Sequence, residues 1–314
     1  MKNKVYITDY ISNPSVEKRI LGDSLSDSLS EKIEVILVWH QLIDKNYIES
    51  LPNLKGIIRY GVGFDSIDID YAKSKKIYVC NTPDYGTDEV SDTAISMIMN
   101  IARGVSRYDF RARHFNKNWQ ENTISNLRRN NEIKLGVIGA GRIGSSVILK
   151  SNALKFNTSF YDPLLSRGYE KTISSKRYDS LDEILKNSDI VSINCPLNDK
   201  TFGMIDSSFI KKMKDGASLV NTARGKIILD LECIYNALKS NKLSNVALDV
   251  LPNEPPENSK LINAWKKRED WLDGRLIINP HTAYYSLDAF DEMRTKASLN
   301  ALRILNNQSP YNII

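Results

Sequence analysis

Three histidines, His40, His114 and His281, stand in the 314-residue chain. Histidine is the side chain whose charge changes near neutral pH, so proton transfer narrows to these three. His40 follows an apolar run in Val38-Trp39-His40, His114 ends a charged helical stretch, and His281 follows Ile277-Ile278-Asn279. Open α/β sheets place ligands outside the carboxyl ends of strands, which favours His281. Two other strand ends carry charge: Arg224 in Asn221-Thr222-Ala223-Arg224-Gly225, and Asp249 and Glu254 in Asp249-Val250-Leu251-Pro252-Asn253-Glu254-Pro255. An arginine fork suits a carboxylate and polarises a carbonyl oxygen, and a carboxylate beside a histidine favours the charged ring and aims it. Surface charge accounts for any one of these residues alone. Three of them at successive strand ends mark a candidate catalytic set.

A second constellation concerns phosphate. Gly139-Ala140-Gly141-Arg142-Ile143-Gly144 is a G-x-G-x-x-G that follows the apolar run Leu135 to Ile138 and opens an apolar helix (Val147, Ile148, Leu149). The pattern is weak alone and informative in this strand–turn–helix setting. The first glycine allows the tight turn, the second lets the backbone approach a pyrophosphate, and the third lets helix and strand pack closely. Free N–H groups and the dipole at the helix start then favour negative phosphates. The next strand ends at Asp162, about 20 residues further on, where an acid accepts from the adenosine ribose hydroxyls and repels a 2′-phosphate. Asp162 therefore argues for NAD over NADP, with Arg167 close by as a residue that would receive a phosphate.

These residues need a scaffold of parallel strands, and apolar runs alternate with amphipathic stretches almost throughout. Val5-Tyr6-Ile7, Val35–Val38, Gly56–Ile58 and Ile77–Val79 read as buried strands of a first domain. The apolar face of Asp92 to Arg113 predicts one long helix leading to a second domain. Six further strands are expected there, at Leu135–Gly139, Thr158–Tyr161, Asp189–Asn194, Ser218–Thr222, Val246–Asp249 and Leu276–Asn279, the count of a doubly wound dinucleotide-binding sheet. Leu287 to Leu305 reads as a closing helix.

Composition sets the remaining bounds. With 41% hydrophobic and 26% charged residues the chain is globular, and its length suits two domains. The net charge of +5 is spread in short clusters, which argues against direct nucleic-acid binding. Cys80, Cys195 and Cys233 are odd in number and widely spaced, against a disulfide framework or a metal site. Met1 to Pro14 lacks the apolar core of a signal peptide, and no apolar run reaches the ~18 residues of a membrane helix. The expectation is a soluble cytoplasmic protein.

The chain resembles the D-isomer-specific 2-hydroxyacid dehydrogenases, closest to their C-terminal-binding-protein branch. The likeness rests on motifs in family order: Trp39-His40, Arg59 through Asp68, Asn81-Thr82-Pro83, the glycine loop, Tyr161-Asp162-Pro163, Asn221 through Gly225, Ala247 through Val250 and Pro280 through Ser286. The resemblance implies an α/β architecture of two doubly wound parallel-sheet domains. A Rossmann cofactor domain (98–285) is inserted into a flavodoxin-like substrate domain (1–97, rejoined by the helix in 286–314). It implies an NAD-dependent oxidoreductase for a small 2-oxo or D-2-hydroxy acid, with Arg224, Glu254 and His281 as the catalytic residues. Gly139, Gly141, Arg142, Ile143, Gly144, Asp162, Cys195, Pro196, Thr222, Ala223 and Asp249 would hold NAD. Val62 and Gly63 would bind the substrate carboxylate, bordered by Arg59, His40 and Tyr284. The family also implies a homodimer through the NAD domain.

Departures from the branch pattern are Gly86 in place of a serine, Tyr284 in place of a tryptophan, and one extra residue around Ile228–Asp230. Rival expectations are an NAD(H)-sensing, corepressor-like partner protein and a dehydrogenase of a phosphorylated or phosphonylated acid. The second draws on Arg59 and Tyr60. A relative acting on formate or phosphite is a third, and the aromatic residues Tyr60, Tyr284 and Tyr285 leave pocket size open.

Overall fold

The computed structural model describes every residue except Met1, Asn116 and Asn118. The chain divides into two units, Met1–Gly86 with Tyr285–Ile314, and Thr87–Tyr284. The first boundary therefore falls before residue 87 and not at 97/98. The helix Thr87–Arg103 packs along the helix Arg142–Ala153. Its buried Ala94, Met97, Ile98, Ile101 and Ala102 join Leu135, Val137 and Val147 in one core. The expected single helix from Asp92 to Arg113 is also broken: Thr87–Arg103 stops at Gly104 (φ 64°), and a second helix runs Val105–Arg113. The left-handed backbone at Gly104 is one that glycine takes without strain, and a Cβ there would also have to push aside the Ile124 side chain.

The first unit is a parallel sheet of β1 (Val5–Ile7), β2 (Leu25–Ser26), β3 (Val35–Val38), β4 (Gly56–Arg59) and β5 (Tyr78–Cys80). Its order, β2-β1-β3-β4-β5, is the flavodoxin order. All four residues of β3 are buried, as an unbroken Val-Ile-Leu-Val run covered on both faces must be. The closing helix Leu287–Leu305 starts at the cap Ser286, whose side chain accepts from Ala289 N–H, and packs on the helix Ser15–Leu21 and on β3 and β4. Inside that packing, Glu17 is 0% exposed. Its carboxylate accepts from Arg294 at 2.5 and 2.9 Å and from the Tyr60 hydroxyl at 2.8 Å.

In the second unit the strands are β6 (Lys134–Ile138), β7 (Asn157–Tyr161), β8 (Lys176–Arg177), β9 (Ile190–Ile193), β10 (Ala217–Asn221), β11 (Leu243–Leu248) and β12 (Leu276–Ile278). They are all parallel, in the order β12-β11-β10-β9-β6-β7-β8. The two-residue β8 raises the sheet from the expected six strands to seven. Winding reverses between β6 and β9, the switch point at which such sheets bind ligands. Among the described residues, no helix is long and apolar enough to cross a membrane.

Candidate active site

At the switch point, the loop after β6 carries the three glycines. Gly139 has φ 86°, and a Cβ on it would lie 2.7 Å from the Cys195 backbone after β9. The close approach seats Cys195 beside the loop, and burial pushes its thiol up to about 12, so it is an inert lining group. A Cβ on Gly144 would stand 1.9 Å from Gly139 O, so the helix start and the turn touch as the motif requires. A Cβ on Gly141 would meet nothing within 4 Å. The space over that glycine is open, at the start of the helix whose N1 is Arg142 and next residue Ile143. Asp162, at the end of β7, accepts from Ala140 N–H and Leu164 N–H, both at 2.9 Å, so it is held beside the glycine turn. Arg167 points elsewhere: it pairs with Asp179 at 3.0 Å.

Whether this cradle fits NAD can be judged from the polar atoms left over. Asn194 Oδ1, at the end of β9, and Thr222 Oγ1, at the end of β10, are buried and have no hydrogen-bond partner among the described residues. Buried polar atoms are normally paired, so these two need a group from outside the chain. Together with the open space at Gly141 and a carboxylate where ribose hydroxyls would sit, they fit a dinucleotide. Asn194 was not singled out from the sequence, because an asparagine ending a strand carries no signal until its neighbours are known.

The charged set lies on the strand ends further along the same sheet. Asn221 is fully buried and staples the next turn: its Oδ1 accepts from Ala223 N–H at 3.0 Å and its Nδ2 donates to Arg224 O at 3.0 Å. Arg224 donates from Nη1 to Ala223 O at 2.7 Å. Gly225 brings the turns after β10 and β11 together, since a Cβ there would lie 1.8 Å from Leu251 O. The residue after β11, Asp249, is 1% exposed. Its backbone O accepts from His281 N–H at 2.8 Å, and its carboxylate accepts from Thr282 N–H and Ala283 N–H at 3.0–3.1 Å. These bonds hold His281 in the left-handed region at φ 56°, a conformation that few non-glycine residues take and that needs such support. Tyr284 follows directly and closes the unit.

His281 Nδ1 then lies 2.6 Å from Glu254 Oε2, while Glu254 Oε1 accepts from Leu251 N–H at 2.8 Å. Burial pushes the Glu254 carboxyl up. The His281 hydrogen bond and charge, the Leu251 N–H and the Arg224 charge outweigh that and hold it below its ordinary value. Burial dominates at Asp249, whose carboxyl is raised despite its two backbone donors. Arg224, Glu254 and His281 are thus brought together, with His281 and Glu254 41% and 35% exposed. With Nδ1 committed to the carboxylate, Nε2 is the atom left for proton exchange. His114 takes no part: it is exposed, and its Nδ1 bonds Phe110 O at 2.8 Å. Among the described residues, no group of three His, Cys, Asp or Glu side chains is placed to hold a metal ion.

On the first unit, Val62 and Gly63 lie in the loop after β4. Thr82 Oγ1 accepts from Gly61 N–H at 2.7 Å, and Asn81 Nδ2 donates to Val62 O at 2.8 Å. The adjacent turn after β3, carrying His40, hangs on Asp9, which accepts from Trp39, His40 and Gln41 N–H at 2.6–3.1 Å. Asp9, Asn81 and Thr82 hold these turns and were not given that role from the sequence. Arg59 stacks on Trp39 at 5.6 Å. Tyr60 corrects an expectation: it is 1% exposed with its hydroxyl on Glu17, so it is a core residue and adds nothing to an anion pocket or to its size.

Residues 95–283 match the family model for D-isomer specific 2-hydroxyacid dehydrogenase, NAD binding domain. The chain is 30% identical to a glyoxylate reductase of Thermofilum pendens over 92% of this chain and 83% of that one. Among solved structures it is similar to the D-lactate dehydrogenase of Aquifex aeolicus complexed with NAD and lactic acid. That similarity is 29% identity at TM-score 0.82, covering 97% of this chain and 96% of the other. A glyoxylate reductase from Paecilomyes thermophila superposes with TM-score 0.85 at 25% identity, covering 100% and 98%. The glycine cradle, the winding of both sheets and the strand-end charges are all accounted for by this one relationship: the chain belongs to the D-isomer specific 2-hydroxyacid dehydrogenases and is an NAD-dependent enzyme of that family.

Proposed function

We propose that the enzyme interconverts a small 2-oxo acid and its D-2-hydroxy acid, with His281 moving the proton, Arg224 holding the substrate and Glu254 aiming His281. The 2.6 Å bond between His281 Nδ1 and Glu254, on a carboxylate held ionised, carries this reading. When bound, NAD(H) supplies the hydride to C2 or takes it away. In the reductive direction His281 Nε2 gives its proton to the C2 oxygen, and Glu254 stabilises the charged ring beforehand. Arg224 offers its fork to the carboxylate and to the charge that grows on the C2 oxygen. Asp249 is a positioning residue that fixes the His281 turn. On the first unit, the same reading gives the N–H groups of Val62 and Gly63, bordered by Arg59 and His40, to a carboxylate.

The finer placement nearest the C-terminal-binding-protein branch rests on the Trp39-His40, Arg59 and Pro280-to-Ser286 motifs. The joined Arg224, Glu254 and His281 favour catalysis over a purely NAD(H)-sensing role. A homodimer through the NAD-binding unit is supported by Val105, Phe115 and Trp119, apolar side chains 57%, 58% and 62% exposed on that unit. Three free cysteines support a reducing, cytoplasmic setting. The test is NADH oxidation by the purified protein against glyoxylate, pyruvate, hydroxypyruvate, branched and aromatic 2-oxo acids and phosphonopyruvate. Turnover of a small member is expected. Silence across the panel with NADH still bound would replace the catalytic reading with the sensing one.

A further inference from the structure

The loop that presents Asp162 is built around another residue. After β7 the chain runs Asp162-Pro163-Leu164-Leu165-Ser166-Arg167-Gly168 before the short helix Tyr169–Thr172, and Leu164 at its crest is 85% exposed. So open a loop keeps one shape only if its backbone is tied from within. The tie is Arg177 of β8, whose side chain is only 9% exposed. Its guanidinium lies 5.1 Å from the ring of Phe160, itself fully buried in β7. It donates to Ser166 O at 2.8 Å, Leu165 O at 3.1 Å and Asp162 O at 3.4 Å, and to the Glu170 carboxylate at 3.3 Å. Glu170 in turn accepts from Gly168 N–H at 3.1 Å. Both ends of the loop are thereby fastened to one planar group. Only an arginine has the five fixed donors to meet three carbonyls and a carboxylate at once.

We infer that Arg177 is a positioning residue for nucleotide selectivity: by clamping the backbone of Asp162, Leu165 and Ser166, it fixes the Asp162 carboxylate where ribose hydroxyls are accepted and a 2′-phosphate is repelled. The inference rests on the reading of Asp162 as the ribose acceptor. Arg167, the loop's other cation, is paired with Asp179 and does not substitute for the clamp. The two-residue β8 exists, on this account, to deliver Arg177 under the loop.

The test is titration of NADH and NADPH into the wild type, Arg177→Met, Arg177→Lys and Asp162→Asn, with kcat at saturating NADH and the melting temperature recorded for each. Misplacing a binding group by about 1 Å is costly, so Arg177→Met should shrink the NADH-over-NADPH affinity ratio on the order of tenfold, with kcat at saturation kept. Arg177→Lys, which keeps the charge but loses the fork, should fall between. A wild-type ratio in folded Arg177→Met, while Asp162→Asn collapses the ratio, overturns the inference and leaves the Asp162 reading intact. If Arg177→Met does not fold, a wild-type ratio in Arg177→Lys overturns it equally. A wild-type ratio in Asp162→Asn would remove the ribose reading itself, and the inference with it.

Discussion

Glu17 in the first unit and Glu254 in the second are both carboxylates at hydrogen-bond distance from a cation. Glu17 is completely buried, with its oxygens shared between Arg294 and the Tyr60 hydroxyl. Burial, and then the Glu17 charge, drive the Tyr60 phenol well above its ordinary value. Arginine does not titrate in the working range, so the cation of that triad has no proton to pass. Glu254 is partly open, and its cation is a histidine with a second nitrogen to spare. The first arrangement ties the closing helix to the sheet, and the second can pass a proton. What separates a structural ion pair from a reactive one here is the partner's ability to titrate and its access to a ligand, more than the closeness of the contact.

Removing the charge from each region separates the two roles. The largest effect is expected from Arg224→Met, because it removes both a carboxylate partner and a stabiliser of the C2 oxygen. Its kcat/KM should fall on the order of 10⁴-fold in steady-state assays, with the melting temperature nearly unchanged. Glu17→Gln should do the opposite. It leaves Arg294 buried and uncompensated, and urea unfolding should register a loss of about 3–5 kcal/mol, while kcat of the protein that remains folded is kept. Glu254→Gln is expected to lower kcat about 10²-fold, since His281 keeps a neighbour but loses the carboxylate that aims it.

A third ion cluster extends the comparison to pH. Burial raises the Asp273 carboxyl, but hydrogen bonds from Arg111 and Arg107 outweigh it and set the carboxyl below its ordinary 3.8. A carboxyl lowered by folding stabilises the protein at any pH above 3.8, and that stability is lost as pH falls through the lowered value. Asp273→Asn should therefore reduce the melting temperature by roughly 3–6 °C at pH 7, with the gap to the wild type narrowing toward pH 3. A gap that stays constant with pH would mean the cluster stabilises by packing alone.

How much of this was legible in the sequence depended on sequence distance. The strands Val35–Val38 and Lys134–Ile138, the glycine loop and the closing helix announce themselves through local periodicity and spacing. Arg224 and His281 stood out as candidates because each follows a recognisable apolar run, whereas Glu254, five residues beyond Asp249, was singled out only by the family resemblance. The two-residue strands Leu25–Ser26 and Lys176–Arg177 are too short to show a period. The break at Gly104 hides inside an otherwise regular apolar face, where a lone glycine is tolerated at ~1 kcal/mol. Tyr60 looked like a pocket residue because its partners, Glu17 and Arg294, come from distant parts of the chain. Arg177 was passed over for the same reason: its partners are backbone carbonyls, which carry no sequence signature.

The central claim is that His281 moves the proton and contributes nothing to holding the cofactor. It is tested most directly by His281→Asn, measuring kcat on the best 2-oxo acid together with NADH binding by fluorescence titration. The account predicts a loss of roughly 10²–10⁴-fold in kcat with NADH affinity nearly intact. Turnover at the wild-type rate would contradict it and move the proton to another group.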